Sequence, residues 1–91
     1  MDELTKQAEG LTFPCEFPVK AMGPSNGTLA DAVWHIVTRH APDTPADALR
    51  TSHSRHGRFV SVTVTITAEG RGQLDAIYAD LKAHDGVLAT L

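Results

Sequence analysis

From Phe59 to Thr67 the chain reads Phe-Val-Ser-Val-Thr-Val-Thr-Ile-Thr, and from Val60 onward aliphatic and hydroxyl side chains alternate without a break. Successive side chains of a strand point to opposite faces. This period of two therefore predicts a strand with Val60, Val62, Val64 and Ile66 on a core and Ser61, Thr63 and Thr65 on water or a partner. The sheet containing it is covered on one side only. A shorter alternation sets Phe17, Val19 and Ala21 against Lys20 and Met22 and predicts a first strand over about 16–22. Pro14 and Pro18 suit an edge or a strand entry better than a ladder interior, because proline has no N–H to give.

Two stretches carry the helical period instead. Leu29, Val33, Ile36, Val37 and His40 share one helical face. Thr28-Leu29-Ala30-Asp31 in front of that run resembles a capping box, and Ala41-Pro42 ends it, since the residue before proline avoids helical geometry. A second helix is predicted over 71–84, with Leu74, Ile77, Tyr78 and Leu81 as its apolar stripe. Lys82 and His84 suit the negative end of its dipole, and His40 that of the first helix. Gly86 is placed to terminate the second helix. Gly23-Pro24-Ser25-Asn26-Gly27 reads as a turn. A second strand over about 46–52 and a hairpin over 53–58 lead into the alternating strand, and 87–91 forms a short last strand. The order is βαββαβ. With right-handed crossovers this is the ferredoxin-like α+β arrangement, a four-stranded antiparallel sheet with both helices on one face. Residues 1–12 are weakly periodic and read as a flexible arm, which leaves 13–91 as a single domain.

Bulk properties narrow the function classes. Ninety-one residues, 42% of them hydrophobic, suffice for one domain with one modest core. A net charge of −3 gives no global attraction to nucleic acid or anionic membrane. The single cysteine, Cys15, cannot form an intrachain disulfide, and the polar N-terminus has no apolar signal-peptide core. No apolar run reaches membrane-spanning length. The expectation is a cytoplasmic protein with no membrane contact.

The topology brings the turn at 23–27, the hairpin tip at 54–58 and the loop at 84–86 to one end. The hairpin region holds Arg50, Arg55, Arg58, His53 and His56, and the N-terminus of the first helix lies beside it. Arginines and free helix-terminal amides both favour anions, so Gly23, Asn26, Gly27, Arg55 and Arg58 form a candidate site for a phosphate or carboxylate. A solvated, charged hairpin tip is the simpler alternative. No P-loop is present, because the turn lacks the lysine and the hydroxyl that follows it. His53 and His56 are no metal pair, since arginines adjoin them and no carboxylate or cysteine is near in sequence. Cys15 stands next to Glu16, whose charge disfavours a thiolate, and reads as a structural thiol. Trp34 reads as packing at the rim of the core. No base, nucleophile and oxyanion donor can be assembled, so the chain is expected to be no enzyme and to use no cofactor.

Modules that bind RNA share this topology, but they stack bases on aromatic side chains of the two central strands. Here Phe59 is the one ring available, and Lys20, Met22 and Ser61 occupy neighbouring positions. Nucleic acid is therefore a third reading, behind a protein contact and a small-anion sensor.

Phe13-Pro14, Phe17, Lys20-Ala21-Met22-Gly23, His40-Ala41-Pro42-Asp43, the run from Ser52 through Val64, Gln73 through Tyr78, and Leu91 together resemble the YbeD family of small bacterial proteins. The similarity spans about 13–91. Phe59 stands where many members carry tyrosine, and the N-terminal arm has no counterpart. The resemblance implies a ferredoxin-like fold similar to the ACT regulatory domains, whose ligands bind near the loop after strand one, here Met22, Gly23, Asn26 and Gly27. It also implies a genomic neighbourhood of lipoate attachment, and it transfers no catalytic residue. The expectation is a non-enzymatic regulatory or adaptor domain. Its open sheet face (Lys20, Met22, Ser61, Thr63, Thr65) contacts a protein partner or a second copy, with a sensor of a small anionic metabolite as the alternative.

Overall fold

The computed structural model describes residues 10–90. The first nine residues of the arm and the terminal Leu91 lie outside them. Strand β1 (Cys15–Pro24) leads into helix α1 (Leu29–His40), then β2 (Leu49–His53), β3 (Phe59–Ala68), helix α2 (Arg71–Ala83) and β4 (Ala89–Thr90). The sheet order is β2-β3-β1-β4 and every pairing is antiparallel. This is the α+β, ferredoxin-like architecture read from the chain.

The centre of the sheet is the β1–β3 pair, which runs in unbroken register from Cys15 opposite Ala68 to Pro24 opposite Phe59. Cross-strand partners share a face. The core side therefore stacks Phe17 on Ile66, Val19 on Val64 and Ala21 on Val62, all buried. Leu29, Val33, Ile36 and Val37 of α1 and Leu74, Ile77, Tyr78 and Leu81 of α2 close over that side. Both helical stripes are thus the ones the spacing predicts. Trp34 and Cys15 are half-buried at the edge of the cluster, as expected. Leu11 and Phe13 pack there too, so contact with the domain begins before residue 13.

Pro18 sits in mid-strand, and the topology explains why it is tolerated. The Met22 carbonyl accepts from the Leu88 N–H across the β1–β4 boundary at 2.8 Å. Main-chain groups alternate sides along a strand, so Glu16, Pro18 and Lys20 direct theirs to the same flank as Met22. Among the described residues, strand β4 pairs only with Ala21 and Met22. At Pro18 no described strand lies along that flank, so its missing N–H costs no ladder bond among the described residues.

Two local expectations are corrected. Residues Ala46–Ala48 form a single 3-10 turn, with Ala48 N–H donating to the Pro45 carbonyl, and β2 begins only at Leu49. No capping box forms at Thr28, whose side chain makes no cap bond to the helix. Instead the Asn26 side-chain oxygen accepts from both the Thr28 amide (3.1 Å) and the Thr28 hydroxyl (2.8 Å). That local turn leads the chain into the helix and takes the hydroxyl that a box would have used.

Gly23 is buried where β1 runs under the α2–β4 loop, and a Cβ built there meets the Gly86 carbonyl oxygen and a Leu29 methyl. Gly72, near the start of α2, has open space around it. Gly23→Ala is expected to destabilise the domain by about 1–3 kcal/mol through overpacking against backbone. Gly72→Ala is expected to stabilise it by about 0.4–1 kcal/mol. Urea unfolding of the two variants checks both signs.

Candidate functional site

The register defines the outer face of the sheet row by row. Thr63 lies between Lys20 on β1 and Arg50 on β2, and Ser61 lies between Met22 and Ser52. Thr65 pairs with Pro18, and Thr67 with Glu16 at the far end. Ala89 of β4 extends the Met22 row. No described element covers this side, because both helices pack on the other one. Lys20, Arg50 and Ser52 are exposed, whereas Ser61, Thr63, Thr65 and Met22 are half-buried by their neighbours in the central strands. Phe59, 39% exposed, is the aromatic side chain of the face and stands at its margin opposite Pro24. One marginal ring gives no platform for a run of bases.

Charge is distributed unevenly about this sheet. On the helix side Asp80 takes His40 Nε2 at 2.7 Å and Arg39 at 3.6 Å, and Arg71 faces Asp75 at 3.8 Å. On the outer face and hairpin, Lys20, Arg50, Arg55 and Arg58 have no ion-pair partner among the described residues. The outer face presents one described carboxylate, Glu16, at the end of β1 away from the hairpin.

The second candidate, the loop end, is assembled as the topology requires. The Ser25 amide donates to the Arg58 carbonyl (3.0 Å), and Gly23 lies against Gly86, so the three loops meet. The hairpin closes with Ser54 and Phe59 bonded to one another and turns through Gly57 at φ +72°. Gly27 also has positive φ, +85°, so its conformation rather than contact requires glycine there. The Asn26 side-chain oxygen is engaged by Thr28, which leaves its amide as the group facing outward chemistry. Gly23 is covered by the Gly86 loop. Arg55 and Arg58 remain as exposed cations at this end.

Sequence reasoning missed a feature at the opposite end. A groove of about 620 Å³ opens between the loop after α1, the start of β2, the last residues of β3 and the first turn of α2. None of the predicted ligand residues lines it, whereas Thr65 and Arg50 do. Its other lining groups include the carboxylates Glu16, Asp43, Asp47 and Glu69, with His40 beside them. Its wall is held by Gln73, which donates to the His40 carbonyl at 2.9 Å and accepts from the Glu69 amide at 2.7 Å. His40 was expected to act as a charge at the helix end. The structure places it in the last turn of α1, where its ring also bridges to Asp80 on α2. His84 likewise serves a local bond, accepting the Gly86 amide on Nδ1 at 3.0 Å. The groove had no signal in the chain because its walls come from segments distant in sequence.

A family model described as "Protein of unknown function (DUF493)" matches residues 8–91. The chain belongs to this family. Similar DUF493-type relatives are the UPF0250 protein of Azotobacter vinelandii, 46% identical over 91% of each chain, and that of Shewanella sediminis, 38% identical over 96% of this chain and 97% of its own. A UPF0250 protein of Neisseria gonorrhoeae is 38% identical over the full length of both. The solution structure of protein HP0495 from H. pylori superposes with a TM-score of 0.68 over 92% of each chain at 14% identity, which supports the fold alone. The YbeD-like resemblance read from the residues agrees with this family. No helix among the described residues is long and apolar enough to cross a membrane.

Gln73→Ala leaves the His40 carbonyl and the Glu69 amide without their side-chain partner. With one part-buried and one exposed hydrogen bond lost, the domain is expected to lose about 1 kcal/mol. Chemical denaturation of the variant measures this, and an unchanged midpoint would show that water replaces Gln73 without cost.

Proposed function

We propose that this DUF493 protein is a non-enzymatic regulatory or adaptor domain that works by protein–protein contact through its open sheet face. The observation that carries the reading is the uncovered outer side of β1 and β3. Its central side chains (Ser61, Thr63, Thr65, Met22) are half-buried between their neighbours, which restricts them before any docking. A rigid surface with ordered hydroxyls loses little side-chain entropy on docking. A link to lipoate metabolism, implied by the YbeD resemblance, belongs to this reading as the pathway in which a partner is first sought.

Thr63→Trp tests the surface. A strand position facing outward accepts an aromatic ring without harm to the fold, while its bulk blocks docking whatever the partner's chemistry. Affinity capture from native extract is expected to recover a stoichiometric partner with the wild type and to lose it with Thr63→Trp. Equal recovery by both forms would overturn the reading.

A second reading, a sensor of a small anionic metabolite, has one observation in its favour: Arg55 and Arg58 have no described carboxylate partner and stand where three loops meet. Charge reversal of both, R55E with R58E, is then expected to abolish binding of inorganic phosphate or a dicarboxylate measured by calorimetry, with the unfolding midpoint unchanged. Sedimentation with and without these anions separates the sensor from the adaptor, because only the sensor predicts association linked to ligand.

A further inference from the structure

We infer that the partner meets this sheet face with an acidic surface, its carboxylates seated between Lys20 and Arg50 over Thr63. The inference rests on the adaptor reading above and adds the chemistry of the partner. Lys20 and Arg50 are the two flanking neighbours of Thr63 in a single cross-strand row. Two strand spacings separate them, roughly 10 Å. Both are exposed and neither has an ion partner among the described residues. Between and beside them stand the hydroxyls of Thr63, Ser61, Ser52 and Thr65, which donate to carboxylate oxygens.

The alternatives fit less well. A second copy docked face to face about an axis through Thr63 would set Lys20 and Arg50 against the same two cations, and like charges in an isologous contact are repulsive. Nucleic acid would meet the two cations of this row, Arg55 and Arg58 at the hairpin end, and one marginal ring on a chain of net charge −3. That is too few for the phosphate neutralisation and stacking on which such binding depends. The acidic groove at the end of the sheet shares Arg50 with this row, and Glu16, Asp43 and Asp47 line it too, yet none of these carboxylates is within ion-pair distance of Arg50.

The experiment uses the full chain, labelled with 15N, and three probes: an alternating (Glu-Ser)6 peptide, an alternating (Lys-Ser)6 peptide and a dodecamer of thymidylate. At low salt the acidic peptide is expected to shift the amide resonances of Lys20, Arg50, Ser61 and Thr63. Binding should weaken at least tenfold in the K20E/R50E double variant and fade at high salt as the pairing is screened. The basic peptide should leave these resonances in place. An acidic peptide that does not bind, or that binds K20E/R50E equally well, overturns the inference. Tighter binding of the oligonucleotide at the same resonances overturns it in favour of nucleic acid. Capture from extract separates this inference from the reading beneath it. A partner lost with Thr63→Trp but kept by K20E/R50E leaves the adaptor standing and removes the acidic contact. A partner kept by Thr63→Trp removes both. R39E/R71E, which changes net charge equally on the helix side, should keep the partner and the peptide.

Discussion

Everything in this domain hangs on the antiparallel pairing of β1 with β3. Ten residues of each strand are in register, and the stacking of Phe17 on Ile66, Val19 on Val64 and Ala21 on Val62 gives the helices one continuous apolar floor. A slip by one residue would turn that floor to solvent and bring hydroxyls and lysine into the core, so the register is strongly determined. The same register determines the outer face. The apolar floor that recruits α1 and α2 obliges Lys20, Thr63 and Arg50 to appear together on the side the helices leave open.

Fold and candidate face were legible because both follow from short-range periodicity. The alternation from Val60 to Ile66 and the helical spacing of Leu29, Val33, Ile36 and Val37 need no knowledge of distant contacts. The start of β2 was not legible, since Ala46-Asp47-Ala48 carries no alternation and follows Pro45, which opens a 3-10 turn. The role of Asn26 was hidden for a related reason. Thr28 and Asp31 have the spacing of a cap, yet a nearer acceptor two residues back captures the hydroxyl. Least visible of all was the groove beside Gln73. It arises where the ends of α1, β3 and β1 meet, and its key bonds join residues 33 and 4 apart in the chain. The pairing of Lys20 with Arg50 across Thr63 was likewise invisible until the registers of β1 and β2 on β3 were both known.

The two ends of the sheet are chemically unlike. At the hairpin end Arg55 and Arg58 stand above a closely packed meeting of loops, with Gly23 pressed on Gly86. At the other end carboxylates gather around an open groove. The −3 net charge thus conceals a molecule whose outer face and hairpin are locally basic while its groove is acidic and its helices balance Asp31, Asp75 and Asp80 against Arg39, Arg71 and Lys82. Bulk charge is a poor guide to partners when the fold sorts charges by face.

Pro18 has a consequence for how the molecule behaves in a crowded cell. Among the described residues β4 reaches only Ala21 and Met22, so the stretch of β1 before Ala21 has no described strand along that border, the kind of template on which other chains can be added and fibrils seeded. Proline removes the amide hydrogen from the middle of that border, so an incoming strand meets a gap in the donor row between Glu16 and Lys20. The residue that looks like an interruption of the strand thus takes one donor out of the row that an added strand would need.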